Sequence, residues 1–358
     1  MIAEALAGWS FRLLGPDAQP GPDGYFHVRR PDGSVATLIQ TGSCPLESAI
    51  VDFGPDDARL RRALNPLLPI KRMSRLANAA VLNTAVRGMD PARAFVNVGV
   101  WNGFTFLAAM AANEERTCLG VDNFSEFGGP KQQFLERFVS RRTPSHRFFD
   151  QDYVDFFAAG LDRPLGVYLY DGEHSYENQY RGLMIADPFY AEDAIVLVDD
   201  TNLDRAHEAT LQFTQDSRLE WEVVFDRRTA AGRHPTFWNG LMILQAGGGA
   251  GEVEWPLLDS VEDSLVPAGE EGEEGVSVLA LGDEDLSALE AEGHEVIRVE
   301  GKDDLREALL ASRRRFVLIA EPGASPSPEV VAKRAQAALN RAASAPERGD
   351  LRYLADRA

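Results

Sequence analysis

The chain has 358 residues, with 36 Lys and Arg against 56 Asp and Glu, and a net charge of -20. Its 44% apolar content excludes wholesale disorder, and no apolar run reaches the ~18 residues of a membrane-spanning helix. The acidic balance argues against a general nucleic-acid binder, and two cysteines, Cys44 and Cys118, allow at most one internal disulfide and no zinc-type cysteine cluster.

The first residues, MIAEALAGWSFRLLG, lack a basic leader and a long apolar core, so no secretory signal is expected and the expected location is cytoplasmic. Residues 1–90 are taken as an N-terminal cover or dimerisation region. Within them YFHVRR and SVATLIQ form a candidate β-hairpin, with Pro31, Asp32 and Gly33 in its turn. Residues 56–87 have helical spacing at Leu60, Ala63 and Leu64 and again from Leu76 to Val86, interrupted by Pro66 and Pro69.

Residues 91–246 alternate strand and helix patterns. The strand candidates are AFVNVG, TCLGVD, HRFFD, LGVYLYD and AIVLVDD, followed by LEWEVVFD and FWNGLMILQ. Near-continuous Val, Ile and Leu in the middle strands predicts a parallel sheet with helices on both faces. The last two strands lack an intervening helix, so one of them is expected to be antiparallel. Residues 247–275, with a glycine run and PAGEEGEEG, have the composition of an acidic linker. The stretch 251–310 carries 19 acidic and 3 basic side chains, the pattern of a solvated segment. Residues 276–358 repeat the alternation as a small α/β domain, with strands VSVLAL, HEVIRV and RFVLIA and helices over 284–291, 303–311 and 327–343.

Two groups of residues carry candidate chemistry. The first is the loop from Asn97 through Gly99, Trp101 and Gly103 to Thr105, after the first strand. Open α/β sheets bind ligands at the carboxyl ends of their strands, so this loop is either a cofactor site or a simple strand-to-helix turn. Asp122, with Asn123 and Phe124 behind it, ends the second strand where a carboxylate can accept from ribose hydroxyls, or can cap the following loop. Asp150, after the third strand, has the same two readings toward an adenine amine. The second group is acidic. Asp171, Glu173 and His174 follow the fourth strand, and Asp199 and Asp200 follow the fifth. If those strands are neighbours, the acids crowd one rim and need a counter-charge or a shared proton. A hard cation such as Mg²⁺ suits Asp171, Asp199 and Asp200, with Glu173 or His174 removing a proton from a bound hydroxyl. The other reading is a pair of polar turns with one acid capping a helix. His27, His146, His207, His234 and His294 show no compelling partner, and Arg227, Arg228 and Arg233 form either a basic substrate loop or a solvated one.

NVGVWNGFT, VDNFSEFGG, DGEHSYE, VDD and WNGLMIL together resemble the class I S-adenosylmethionine-dependent methyltransferases over about residues 91–246. The resemblance points to methyltransferase family 24 and to the macrocin and aminocoumarin sugar O-methyltransferases. It implies a Rossmann-like seven-stranded α/β sheet, with S-adenosylmethionine bound through Gly99, Gly103 and Asp122 and with Asp171 adjoining both cofactor and reaction. It also implies Mg²⁺ on Asp171, Asp199 and Asp200, and Glu173 as a candidate base. The implied reaction is methyl transfer to a hydroxyl of a small-molecule or glycan acceptor, in a chain that forms a homodimer and neither enters a membrane nor binds nucleic acid. The alternative is a catalytically silent cofactor-binding regulatory or assembly protein. Asn97 stands where the family has an acidic residue, Glu173 where it has Asp, and the Pro-Gly-Gly turn before strand five is absent.

Overall fold

The computed structural model describes residues 2–11, 26–29, 35–40, 45–229, 234–248, 276–281, 285–299, 307–309, 311–312, 314, 316–320 and 326–344. Cys44, the hairpin turn at Pro31–Gly33, Arg233, most of the acidic linker and most of the expected helix over 303–311 lie outside these residues. In chain order the elements begin with α1 (Ile2–Leu6), β1 (Ser10–Phe11), β2 (Phe26–Arg29), β3 (Val35–Gln40), α2 (Pro45–Ile50), β4 (Val51–Asp52), α3 (Asp57–Leu64) and α4 (Leu76–Gly88). They continue with β5 (Ala94–Val98), α5 (Phe104–Met110), β6 (Thr117–Asp122), α6 (Lys131–Val139), β7 (His146–Asp150), α7 (Tyr153–Ala158), β8 (Leu165–Tyr170) and α8 (Tyr176–Met184). Then come β9 (Tyr190–Asp199), α9 (Asp204–Asp216), β10 (Trp221–Arg227), β11 (Leu241–Ala246), β12 (Val276–Ala280), α10 (Ser287–Ala291), β13 (Glu295–Arg298), β14 (Phe316–Ala320) and α11 (Pro328–Ser344). No helix among the described residues is long and apolar enough to cross a membrane.

The chain divides into two compact units. The first comprises residues 1–10 and 53–256 and holds a seven-stranded sheet of order β10-β11-β9-β8-β5-β6-β7. Strands β5 to β9 pair in parallel, and β11 runs antiparallel to both β9 and β10, as the missing helix between the last two strands predicts. The sequence explains the layering. Every residue of β5 and β8 is buried, which requires cover on both faces. α5 is buried throughout, whereas α9 buries only Ala206, Ala209, Thr210 and Phe213. Chain order reverses between β5 and β8, which opens a crevice at their carboxyl ends.

The second unit comprises residues 11–52 and 257–358. Its five-stranded sheet has the order β13-β12-β14-β3-β2, with β2 and β3 antiparallel and the other pairs parallel. The strands of the hairpin predicted between residues 25 and 40 pair antiparallel, and β3 pairs with β14 on its other side. Val35, Ala36 and Leu38 of β3 are buried, on both of its faces, and its edge is paired by a strand far along the chain, which nothing local signals. Val276, Val278, Leu286, Leu289, Leu318 and Val331 supply the unit's own core.

Candidate active site

The Gly99–Gly103 loop leaves β5 through three left-handed residues, Gly99 (φ 80), Trp101 (φ 42) and Gly103 (φ 93). A Cβ at Gly99 would lie 1.8 Å from the backbone oxygen of Asp171, so only glycine lets the ends of β5 and β8 close on each other. Asp122 ties the other side. Its Oδ2 accepts from the backbone N–H of Val100 at 2.9 Å and of Trp101 at 2.8 Å, and its Oδ1 accepts from Phe124 N–H at 2.6 Å. One carboxylate thereby holds the loops after β5 and β6 together.

Asn97 is fully buried. Its amide donates to the carbonyls of Val98 (3.1 Å) and Gly99 (3.0 Å), and its Oδ1 accepts from the Thr105 hydroxyl (3.3 Å). Asn97 and Thr105 therefore brace the loop from beneath. Asn123 donates to Asp152 (3.3 Å), Asp150 pairs with Lys131, and the Phe124 ring packs on Phe134 and Phe148. These residues border the crevice, with Asp122 and Asp150 directly paired in register.

The acids converge as their strand positions predict. His174 Nε2 lies 3.8 Å from Asp171 Oδ1 and 3.5 Å from Asp200 Oδ2, and its Nδ1 lies 2.9 Å from Gln179 Oε1. Burial disfavours the charged ring, but the hydrogen bond it donates to Asp171 and the negative charges of Asp200 and Asp171 outweigh it and push the His174 pKa up to about 9. Asp199 is buried, and burial together with Asp171 and Asp200 holds its pKa well above the usual carboxylate range. Asp200, at φ 58, is also shifted upward by burial. Such a left-handed residue costs about 1–3 kcal/mol and persists where its surroundings over-determine it.

Glu173 does not join this group. Its carboxylate accepts from Ser175 N–H (2.9 Å), Ser175 Oγ (2.5 Å) and Asn178 Nδ2, at the N-terminus of α8. Burial is the largest single influence and raises its pKa, but those hydrogen bonds together outweigh it and lower it, which leaves a poor proton acceptor. Among the described residues no group of three or more His, Cys, Asp and Glu is arranged to hold a metal ion. At the rim His174 Nε2 lies near both Asp171 and Asp200, and Asp199 Oδ1 accepts from Asp200 N–H at 2.9 Å.

Several rim residues are ones that the sequence does not single out, although it marks their segments. Asn78 of α4 donates to Asp199 Oδ1 and to the Phe237 carbonyl, both at 3.4 Å. Asn239 hydrogen-bonds the Asp200 carboxylate. Arg75 donates to the His234 carbonyl at 2.9 Å and lies 4.7 Å from the centre of the Trp238 ring. The paired Asn78 and Asn239 contacts have no local signature. Elsewhere His146 is a buried core residue whose Nδ1 accepts from Thr143 N–H, and burial lowers its pKa. His207 pairs with Asp226 at 2.7 Å, and burial pushes the Cys118 thiol up.

Comparison with known proteins gives one family match. Residues 96–201 match methyltransferase family 24, described as a methyltransferase domain. No curated protein matches the chain. Among solved structures, an O-methyltransferase from Bacillus cereus in complex with SAH is 13% identical, covers 54% of this chain and 92% of its own, and gives a TM-score of 0.38. The O-methyltransferase TomG from Streptomyces achromogenes, involved in tomaymycin synthesis, is 13% identical, covers 53% and 89%, and gives 0.35. The O-methyltransferase NovP is 15% identical, covers 48% and 79%, and gives 0.38.

Proposed function

We propose, from the premise that this chain is a class I S-adenosylmethionine-dependent methyltransferase related to methyltransferase family 24, that it methylates a hydroxyl of a sugar in a glycan or secondary metabolite. The observation carrying this reading is the shared rim. The Gly99–Gly103 loop is bonded to Asp122 on one side and abuts Asp171 on the other, and His174 links Asp171 to Asp200. Bound S-adenosylmethionine supplies an electrophilic methyl group on a sulfonium. The crevice offers acceptors for its ribose at Asp122 and Asn123 and for its ammonium at Asp171, next to a loop with the backbone freedom to lie against it.

His174 is the base of this proposal. Its ring faces the rim with Asp171 and Asp200 holding it in place, and in its neutral form it takes the proton of the acceptor hydroxyl. The oxygen then forms the new O–CH₃ bond as the carbon–sulfur bond breaks, so alignment by the rim supplies much of the rate. Asn78 Oδ1, on the residue whose amide donates to Asp199, and Thr201 Oγ1 are buried and unbonded among the described residues, which suits an acceptor rich in hydroxyls. The scheme runs through His174 and does not call on the divalent cation implied by the resemblance.

The test is transfer of a labelled methyl group to a panel of glycosides. His174→Gln is expected to lower kcat by about 10²–10⁴ while S-adenosylhomocysteine affinity is kept. Because the wild-type ring stays protonated up to about pH 9, kcat is expected to rise with pH toward that value and the variant to lose the rise. Tight S-adenosylhomocysteine binding without transfer to any acceptor would favour the regulatory alternative.

A further inference from the structure

We infer that Lys71 binds the carboxylate at the amino-acid end of S-adenosylmethionine. This rests on the methyltransferase reading and adds to it a cofactor-binding residue from outside the loop after β5.

Three cations lie between residues 70 and 75, ahead of α4. Two are engaged. Arg72 donates to the carbonyls of Leu68 and Ile70 and lies 4.8 Å from the centre of the Phe104 ring, while Arg75 is held by His234 and Trp238. Lys71 is exposed, and its Nζ sits 5.6 Å from the centre of the Trp101 ring. Among the described residues it has no carboxylate partner. Trp101 belongs to the Gly99–Gly103 loop, so a cation–π contact stations a free ammonium against that loop.

The cofactor's amino-acid end carries one ammonium and one carboxylate. The ammonium meets acceptors readily, because the rim holds Asp122, Asp171, Asp199 and Asp200. The carboxylate meets the opposite situation, since a rim rich in acids offers it little and a cation suits it best. The loop's own polar side chains do not answer that need. The Asn97 amide is engaged by Val98 and Gly99, and the Thr105 hydroxyl by Asn97. Beside the loop, Arg137 is engaged by the Asn102 carbonyl and side-chain oxygen and the His174 ring by Asp171 and Asp200, whereas Lys71 has no such partner among the described residues, and a flexible stem lets it follow the ligand.

The test is calorimetric titration of the full chain with two ligands. S-adenosylhomocysteine carries the amino-acid end, and 5′-methylthioadenosine lacks it. Lys71→Met is expected to weaken S-adenosylhomocysteine roughly tenfold or more, as loss of a charge-assisted contact requires. Its affinity for 5′-methylthioadenosine is expected to stay at the wild-type value, and Lys71→Arg to restore most of the loss. Equal S-adenosylhomocysteine affinity in wild type and Lys71→Met would overturn the assignment, as would an equal loss for both ligands. A wild-type protein that binds neither ligand would overturn the methyltransferase reading itself.

Discussion

Gly99 and Asp122 fix the geometry of the rim from opposite sides, and they differ in how visibly they do so. A glycine at a strand end and an acid ending the next strand stand out in the sequence, and both sit at the crevice. Their partners do not stand out. Gly99 answers to the backbone of Asp171, and Asp122 accepts from three N–H groups, one of them two residues along its own chain and two from the loop after β5. Replacing Gly99 by Ala adds a methyl group 1.8 Å from an oxygen and forces an L-residue to φ 80. Strain and overpacking together predict a loss of about 3 kcal/mol or more, read as a fall in the urea midpoint; an unchanged midpoint would mean that β5 and β8 do not close in this way. Asn78, Gln179 and Asn239 were not legible, because an amide gains meaning only from the carboxylate or imidazole that tertiary folding sets beside it.

Among elements, the strands of the first unit were the most legible part of the chain. β5, β8 and β9 are short apolar runs bounded by polar turns, and a sheet covered on both faces demands that composition. Helix α8 was legible as a helix and in its start, but the hydrogen bonding at that start was not. DGEHSYE places an acid where a base is wanted, yet Ser175 is the N-cap, its Oγ accepting from Asn178 N–H at 3.3 Å, and Glu173 folds over the same turn. Local hydrogen bonds to the helix terminus thus prevail over reach into the crevice. Ser175→Ala removes the cap and one of the Glu173 partners, and is expected to cost about 1 kcal/mol in chemical denaturation. No measurable loss would place the Glu173 carboxylate elsewhere.

For the whole molecule, the chain is interleaved: residues 11–52 belong with 257–358, while 1–10 belong with 53–256. Sequence periodicity finds the hairpin and the three strands of the second unit separately, because each is a local pattern. Their union is a pairing at long range, which no window of local composition encodes. A chain lacking residues 257–358 is expected to aggregate in light scattering, because β3 loses β14, leaving an unpaired backbone edge beside uncovered Val35, Ala36 and Leu38. A chain lacking both 11–52 and 257–358, rejoined by a short linker, is expected to stay monodisperse and to bind S-adenosylhomocysteine. A monodisperse single truncation would count against the pairing. The same interleaving has a consequence on the ribosome. Ile39 is made roughly 280 positions before its partner Leu318. At about 10 residues per second the nascent hairpin waits on the order of half a minute for its neighbouring strand, an interval in which a chaperone is the natural guardian of that edge.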